Sequence, residues 1–333
     1  MAPGNRPPRV LVSSYDFKFF GPVERALRAA GAVLRWDPWF GHEAHDPAHS
    51  RELMAWADVV IAEWCLGNAV FAARHVDARQ RLIVRFHRFE LERRFPAEVD
   101  IERVDAMVFV GPHIAAEARS RWGWPAQRCR VLPNAVDVEA YDEHKRDGAE
   151  RTLGLLGWHR PLKRLDRALD LLERLRAEDP RWRLRCKGQH PWQFPWLRGD
   201  RHDRAWFEEQ LARIARSDLL SHGVRFDGFG PTPSWFQDIG WILSPSDVES
   251  FHLATAEGMA STAVPVLWQR DGAEQIFPAD WVHADTDAAA AAVRAADHAC
   301  WRAQGHAARA FVHQHYDEAE IAHAWQRLVL DAG

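Results

Sequence analysis

Short runs of β-branched and other apolar residues alternate with helical patterning from the start of the chain. Strands are predicted at RVLVSS (9–14), VLRW (33–36), ADVVIAEW (57–64), RLIVRF (81–86) and AMVFVG (106–111), with a helix from about Pro22 after the first. That alternation argues for parallel βαβ units. The rhythm pauses in YDEHKRDGAER (141–151), a charged, apolar-poor stretch that suits a linker. It restarts with a strand at TLGLLGW (152–158) and a helix at KRLDRALDLLERLRAE (163–178), where Leu165, Leu169 or Leu171, Leu172 and Leu175 share one face. Further strands follow at RWRLRC (181–186), GVRFDGF (223–229), GWILSP (240–245) and VPVLW (264–268), and the end is helical from about Asp287 through Leu330. The pattern predicts two doubly wound α/β domains of similar size with a helical tail.

The 333 residues fit two domains of roughly 150 each. The net charge of -4, from 43 Lys and Arg against 47 Asp and Glu, offers no general basic field for nucleic acid. Cys65, Cys129, Cys186 and Cys300 are far apart and form no zinc or C-x-x-C spacing, so they read as reduced and structural. The opening MAPGNRPPRV lacks the apolar core of a signal peptide, and no later run approaches the ~18 apolar residues of a membrane span. A cytoplasmic location is expected. Only Lys18, Lys145, Lys163 and Lys187 among the basic residues are lysine. A GC-rich genome accounts for that bias, yet a lysine kept in a ligand-type loop gains interest, because Lys and Arg differ at phosphates.

Neither first βα turn, SSYDFKFFGP or GWHRPLKR, carries G-x-G-x-x-G, which disfavours a dinucleotide oxidoreductase. Polar clusters do follow the strands: Tyr15, Asp16 and Lys18; Glu63 and Asn68; His87 and Glu90; Arg160 and Lys163; Ser246 and Glu249. Ligands of open α/β sheets bind beyond the carboxyl ends of the strands, so two such domains facing across a cleft would enclose a site there. The most informative segment is ILSPSDVESFHLATAEGMASTAVPVLW (242–268), in which Glu249 sits in a loop and Glu257 follows after seven intervening residues on the next helix. Exposed amides at that helix start favour a phosphate or polyhydroxyl ligand.

The string SPSDVESFHLATAEGMASTAVPV resembles the donor-site signature of the retaining GT-B glycosyltransferases, specifically glycosyltransferase family 4. VLPNAVDVEAYD (131–142), LGLLGWHRPLKRLDRALDLL and VRFDGF (224–229) resemble three further pieces of the family in the expected order, and the first domain adds VRFHRFE (84–90). The resemblance implies a GT-B fold of two Rossmann-like domains with C-terminal helices: an acceptor-side domain at 1–145, a donor-binding domain at 150–310, and a helix at 311–333 that could pack back on the first. It implies transfer of a sugar from a nucleotide-diphosphate sugar to a hydroxyl acceptor with retention of configuration. Lys163 matches the diphosphate lysine, Glu249 the glutamate beside the sugar, and Glu257 the one that accepts from the ribose hydroxyls. The usual arginine is replaced by Trp158, which leaves Arg160 to take its role, and Ser250 and His252 stand for a glycine pair beside Phe251. Thr262 also stands where many relatives have glycine. His87 falls where the family has a histidine facing the sugar, so His87, Lys163 and Glu249 form the expected catalytic set. Tyr15, Asp16, Lys18 and Glu90 are the expected acceptor side.

The family mechanism is a front-face displacement in which the leaving phosphate helps take the acceptor proton, with no divalent metal and no cofactor beyond the nucleotide sugar. The acceptor is left open between a glycan, a lipid-linked molecule and a small molecule, and contact with the inner face of a membrane stays open with it. Another GT-B enzyme, such as a nucleotide-sugar epimerase, and a catalytically silent nucleotide-sugar binding protein are the alternatives. His42, His45 and His49, and His313 and His315 on an expected strand, have ligand-like spacing but no accompanying Cys, and solvent-facing histidines are expected. The Arg- and Trp-rich stretches at 119–130 and 181–198 read as packing, ahead of nucleic-acid stacking.

Overall fold

Five of the six residues of RVLVSS are buried in strand β1 (Arg9–Ser14), and every position is buried in β3 (Val59–Glu63) and β5 (Ala106–Phe109). Strands covered on both faces need no polar alternation, which is why these runs are continuously apolar. The computed structural model describes residues 6–141 and 144–331. With β2 (Val33–Pro38), β4 (Arg81–Phe86) and β6 (Cys129–Val131) they form a parallel sheet of order β2-β1-β3-β4-β5-β6. The order reverses between β1 and β3, which opens a crevice at their carboxyl ends. A second parallel sheet has the order β12-β11-β10-β7-β8-β9. Its strands are β7 (Thr152–Leu156), β8 (Arg183–Lys187), β9 (Val224–Gly228), β10 (Trp241–Ser244), β11 (Val264–Trp268) and β12 (Val282–His283). Here the reversal lies between β7 and β10.

Two units divide the chain, Met1–Ala135 with Glu318–Gly333, and Val136–Asp317. In the second, the helix Leu165–Arg176 buries Leu165, Leu169, Leu171, Leu172 and Leu175 at 1% exposure or less, so both of the alternative leucines reach the core. Each such side chain contributes about 1.5–3 kcal/mol of burial. In the first, the helix Glu318–Leu330 places Ile321, Trp325 and Val329 four residues apart in one core with Phe20, Val23 and Leu27. Arg81 closes its end by donating to the carbonyls of Leu328 (2.8 Å), Val329 (3.3 Å) and Asp331 (2.9 Å).

The division differs from the expected boundaries near 145–150 and 311, and side chains explain it. Lys145 donates to the Phe236 carbonyl (2.8 Å) and Ser261 Oγ (3.0 Å), and Arg146 to both oxygens of Asp238 (3.1 Å each), so the stretch read as a linker packs into the second unit. Asp142 and Glu143 lie outside the described residues. His313 and His315 stand on the helix His298–Tyr316 and not on a strand, and Asp285 caps the helix Thr286–Ala295 by accepting from Ala288 N at 2.8 Å. All four cysteines are unpaired, and among the described residues no helix is long and apolar enough to cross a membrane.

Candidate functional site

The loops after β1, β3 and β4 gather most of the polar residues predicted for the first domain. His87 follows β4 and is 2% exposed, its ring packed against both Trp64 (4.2 Å, 30°) and Phe19 (5.1 Å, 29°), which also touch each other. Trp64 adopts φ +73°, a left-handed conformation that costs a bulky residue of order 1–3 kcal/mol, and its indole N–H donates to the Asp16 carbonyl at 2.8 Å. Asp16 accepts from Lys18 N (3.0 Å) and pairs with Lys18 Nζ (2.9 Å), whose ammonium lies 5.0 Å from the Trp64 ring. Tyr15 packs against Trp64 (5.8 Å) and edge-on to His42 (5.0 Å).

Beneath them lies a buried polar network. Arg85 donates to Glu63 Oε1 (3.2 Å), to Asn134 Oδ1 (2.7 Å) and to the Phe19 carbonyl (3.2 Å). Glu90 Oε1 accepts from the backbone of both Cys65 and His87 at 3.1 Å, so half of its carboxyl ties two loops together. Its other oxygen, Glu63 Oε2 and His87 Nε2 are buried without hydrogen-bond partners, while His87 Nε2 lies 3.9 Å from Glu63 Oε1. Burial pushes Glu90 up to about 8, against the pull of those amides, and pushes His87 down to about 4, against the pull of Glu63. Near neutral pH both are uncharged. Burial and the neighbouring Asp16 and Glu90 also raise Tyr15 to about 12.

In the second unit the loops after β7 and β10 meet at the reversal of strand order. Asp247 N donates to the Leu162 carbonyl (3.0 Å), and Arg164 reaches Asp247 (2.8 Å), which locks the two loops together. Across this junction Lys163 Nζ donates to Glu249 Oε1 at 2.6 Å, with the side chains 21% and 13% exposed. Burial would raise the Glu249 carboxyl, but the neighbouring His252 and Lys163, with hydrogen bonds from Lys163 and Ser246, outweigh it and hold the group down to about 2. His252 starts the helix Leu253–Ala260 at φ +66°, with Nδ1 bonded to Ser244 Oγ and to Thr255 Oγ1 (2.8 Å). Burial lowers it to about 3, so it is neutral beside Glu249, 3.5 Å from Nε2. Thr262 likewise has φ +62°. Two positions where the resemblance expects glycine therefore keep the left-handed backbone that glycine adopts most easily.

Glu257 is half-buried, and burial raises it to about 7, opposed by a hydrogen bond from Tyr141. The Tyr141 hydroxyl is also bonded to Thr232 Oγ1 at 3.0 Å. Arg160 is exposed and lies 4.5 Å over the ring of Trp196, itself 42% exposed, while Ser250 is half-buried on the Glu249 loop.

Phe251 requires correction as a ligand side chain: it is 1% exposed, packed edge-on against Tyr316 at 4.7 Å, and anchors the loop from below. Trp158 is 1% exposed in the core, 4.5 Å from Phe226, so it supplies nothing in place of the missing arginine. Sequence reasoning missed Tyr141, hidden in the presumed linker, and Arg270, whose guanidinium donates to the Ser244 carbonyl (3.0 Å) and Oγ (2.8 Å) under the Glu249 loop. It also missed the stacking pair Phe19 and Trp64, which only the unusual backbone of Trp64 brings over His87. Among the described residues, no group of three or more His, Cys, Asp or Glu is placed to hold a metal ion.

No protein-family model matches the chain, and no curated protein matches its sequence. Solved structures match its shape. Anabaena Alr3699/HepE, crystallised with UDP and glucose, is similar with a TM-score of 0.72 at 14% identity, over 95% of this chain and 98% of that one. A glycosyltransferase from Rickettsia africae ESF-5 gives 0.79 at 11% identity, over 98% and 100%. WaaG, a glycosyltransferase involved in lipopolysaccharide biosynthesis, gives 0.65 at 14%, over 97% and 100%. Likeness of this kind, with two six-stranded parallel sheets of Rossmann type, shows that the chain has the fold of the GT-B glycosyltransferases.

Proposed function

We propose that the protein is a glycosyltransferase that moves a sugar from a nucleotide-diphosphate sugar to a hydroxyl acceptor with retention of configuration, as the family 4 resemblance implies. The observation that carries this reading is the Lys163–Glu249 pair, 2.6 Å across the crevice where the strand order of the second unit reverses. In the proposed reaction Lys163, with the exposed Arg160, offsets the charge gathering on the departing nucleoside diphosphate. Glu249 accepts hydrogen bonds from the transferred sugar once the diphosphate draws Lys163 away, and Glu257 accepts from the ribose. The bond from the anomeric carbon to the diphosphate breaks as the acceptor oxygen attacks from the same face. The acceptor proton goes to the leaving phosphate. His87, a neutral imidazole in the first unit, contributes an oriented hydrogen bond, with Tyr15, Asp16, Lys18 and Glu90 on the acceptor side.

Structural neighbours crystallised with UDP, UDP and glucose, or UDP-glucose support a nucleotide-sugar donor. A glycan, lipid-linked or small-molecule acceptor and a cytoplasmic location, at the inner face of a membrane for a lipid-linked acceptor, belong to the same proposal, as does independence from divalent metal. Calorimetry with UDP, GDP, ADP and TDP tests the donor half, and no binding by any of them at about millimolar concentration refutes it. A second reading, a nucleotide-sugar binding protein without transfer, draws on Trp158, which sits in the core where the family has a phosphate-binding arginine. Donor hydrolysis or transfer in the presence of hydroxyl acceptors separates the two.

A further inference from the structure

The second unit contains a largely covered lysine whose ammonium the chain leaves without a partner. Lys187, the last residue of β8, is 8% exposed. The other lysines are satisfied: Lys18 by Asp16, Lys145 by the Phe236 carbonyl and Ser261, Lys163 by Glu249. Among the described residues, Lys187 is the lysine whose ammonium has neither a hydrogen bond nor an ion pair. Its stem is covered while the ammonium itself keeps access to solvent, so a ligand can reach it.

Its surroundings say which part of a ligand that is. The Lys187 carbonyl accepts from Gly157 N (2.9 Å), where the loop that carries Lys163 begins, and Gly188 N donates to the Gly228 carbonyl (2.9 Å). Gly228 and Gly230 have φ +69° and +158°, and a Cβ added to Gly230 would stand 3.8 Å from Lys187 Nζ. The turn after β9 therefore passes the ammonium with bare backbone, and a side chain on Gly230 would start in van der Waals contact with it. Two residues on, Thr232 is bonded to Tyr141, which is bonded to Glu257. The groups thus run in order: Lys163 and Glu249 at the diphosphate and sugar, Glu257 at the ribose, then Thr232, Gly230 and Lys187.

Resting on the nucleotide-sugar reading above, we propose that Lys187 selects the base: its ammonium donates a hydrogen bond to the carbonyl at the 4-position of uracil or thymine, or the 6-position of guanine. An ammonium has three donors and no acceptor, so it pairs with a carbonyl and rejects an amino group at the same edge. A buried polar group left unpaired by the wrong ligand discriminates more strongly than a shape difference does.

UDP and CDP test this contact, because they differ only at one edge of the base, a carbonyl and an N–H at positions 4 and 3 of uracil against an amino group and a bare nitrogen in cytosine. Calorimetry on the wild-type protein should show UDP bound at least about tenfold more tightly than CDP. Lys187→Met, close in length and apolar, should weaken UDP until the two ligands agree within about twofold, with CDP little changed. Lys187→Gln, whose amide both donates and accepts, should narrow the ratio by strengthening CDP, and it provides the test if the methionine variant fails to fold. A preference that survives in a folded variant, equal losses for UDP and CDP, or no preference in the wild type would each overturn the assignment. Equal losses would make Lys187 a phosphate contact. Failure of every nucleotide to bind the wild type would refute the donor reading itself, and is distinguished by appearing without any substitution.

Discussion

Lys163→Ala removes the one cation hydrogen-bonded to Glu249, and its consequence for stability has a sign that depends on pH. In the wild type, Glu249 is held near 2 in place of 4.5, although it is mostly buried. A carboxyl so placed is about 3 kcal/mol more favourable as the anion, and breaking buried pairs by removing one partner costs about 3–5 kcal/mol. Here the partners are 21% and 13% exposed, so water recovers part of the loss and about 1–3 kcal/mol is expected near neutral pH. A depressed carboxyl contributes above its unfolded value and loses that contribution as the pH falls towards its folded value. Without the ammonium, burial is still opposed by His252 and the Ser246 hydrogen bond but no longer by Lys163, so the carboxyl rises and the variant lacks the wild type's gain in stability as the pH rises. The gap between the two proteins should therefore be widest near pH ~7 and narrow towards pH ~4, on its way to closing near the folded value of about 2. Urea unfolding of wild type, Lys163→Ala, Glu249→Gln and the double variant across that range measures it. The double variant should lose less than the sum of the single ones. A gap that is independent of pH, one that widens towards acid, or strict additivity would refute the reasoning.

Two other perturbations test the loops and the buried carboxyl. His252→Gly keeps the left-handed backbone without a Cβ penalty, whereas His252→Ala loses the same bonds to Ser244 and Thr255 and retains the strain, so alanine should melt lower than glycine by about 1 kcal/mol equivalent. Glu90 is raised from 4.5 to about 8, so its burial costs stability as the pH rises between those values; Glu90→Gln, which preserves an acceptor for Cys65 and His87, should flatten the decline of the melting temperature between pH ~5 and ~8. Activity, once a substrate pair is found, should survive EDTA, and loss with rescue by magnesium or manganese would overturn the metal-independent reading.

The strands were legible because parallel strands buried on both faces write themselves as continuous apolar runs, as in RLIVRF and VPVLW. Cys129–Val131 and Val282–His283, three and two residues long at the edges of their sheets, leave no such run. The helix Gly67–His75 is buried at Asn68, Ala69, Val70, Ala72 and Ala73, so it lacks the one-sided stripe by which a helix is recognised. The return of the last helix to the first unit depends on Ile321, Trp325 and Val329 finding a core built more than 200 residues earlier, which no local window contains. At the site, Lys163, Glu249 and Glu257 were readable because the loops after β7 and β10 and the helix Leu253–Ala260 resemble family motifs in the family's order. The orientation of Phe251 was not, since a loop aromatic beside a ligand and one pinned to Tyr316 read alike. Lys187 lay in an Arg- and Trp-rich stretch where packing was the reasonable expectation, and only its missing partner singles it out.

The two units divide the electrostatic work, and this bears on where the acceptor proton goes. The second unit holds an ionised pair, Lys163 and Glu249, suited to a ligand whose charge changes during reaction. The first holds His87 and Glu90, one lowered to about 4 and the other raised to about 8, both neutral near pH 7. A base must hold its proton in the transition state, and an imidazole lowered this far by burial holds one poorly. His87 is suited instead to a neutral hydrogen bond, in keeping with the proposal that the departing phosphate takes the proton. His87→Ala should accordingly keep nucleoside diphosphate affinity within a few fold while kcat falls about tenfold, the factor for a barrier change of ~1.4 kcal/mol. The wild-type kcat should show no titration near the usual histidine value of 6.5. A folded His87→Ala protein with unchanged kcat would return His87 to a structural role, and a rate that falls through protonation near that value would make it a base after all.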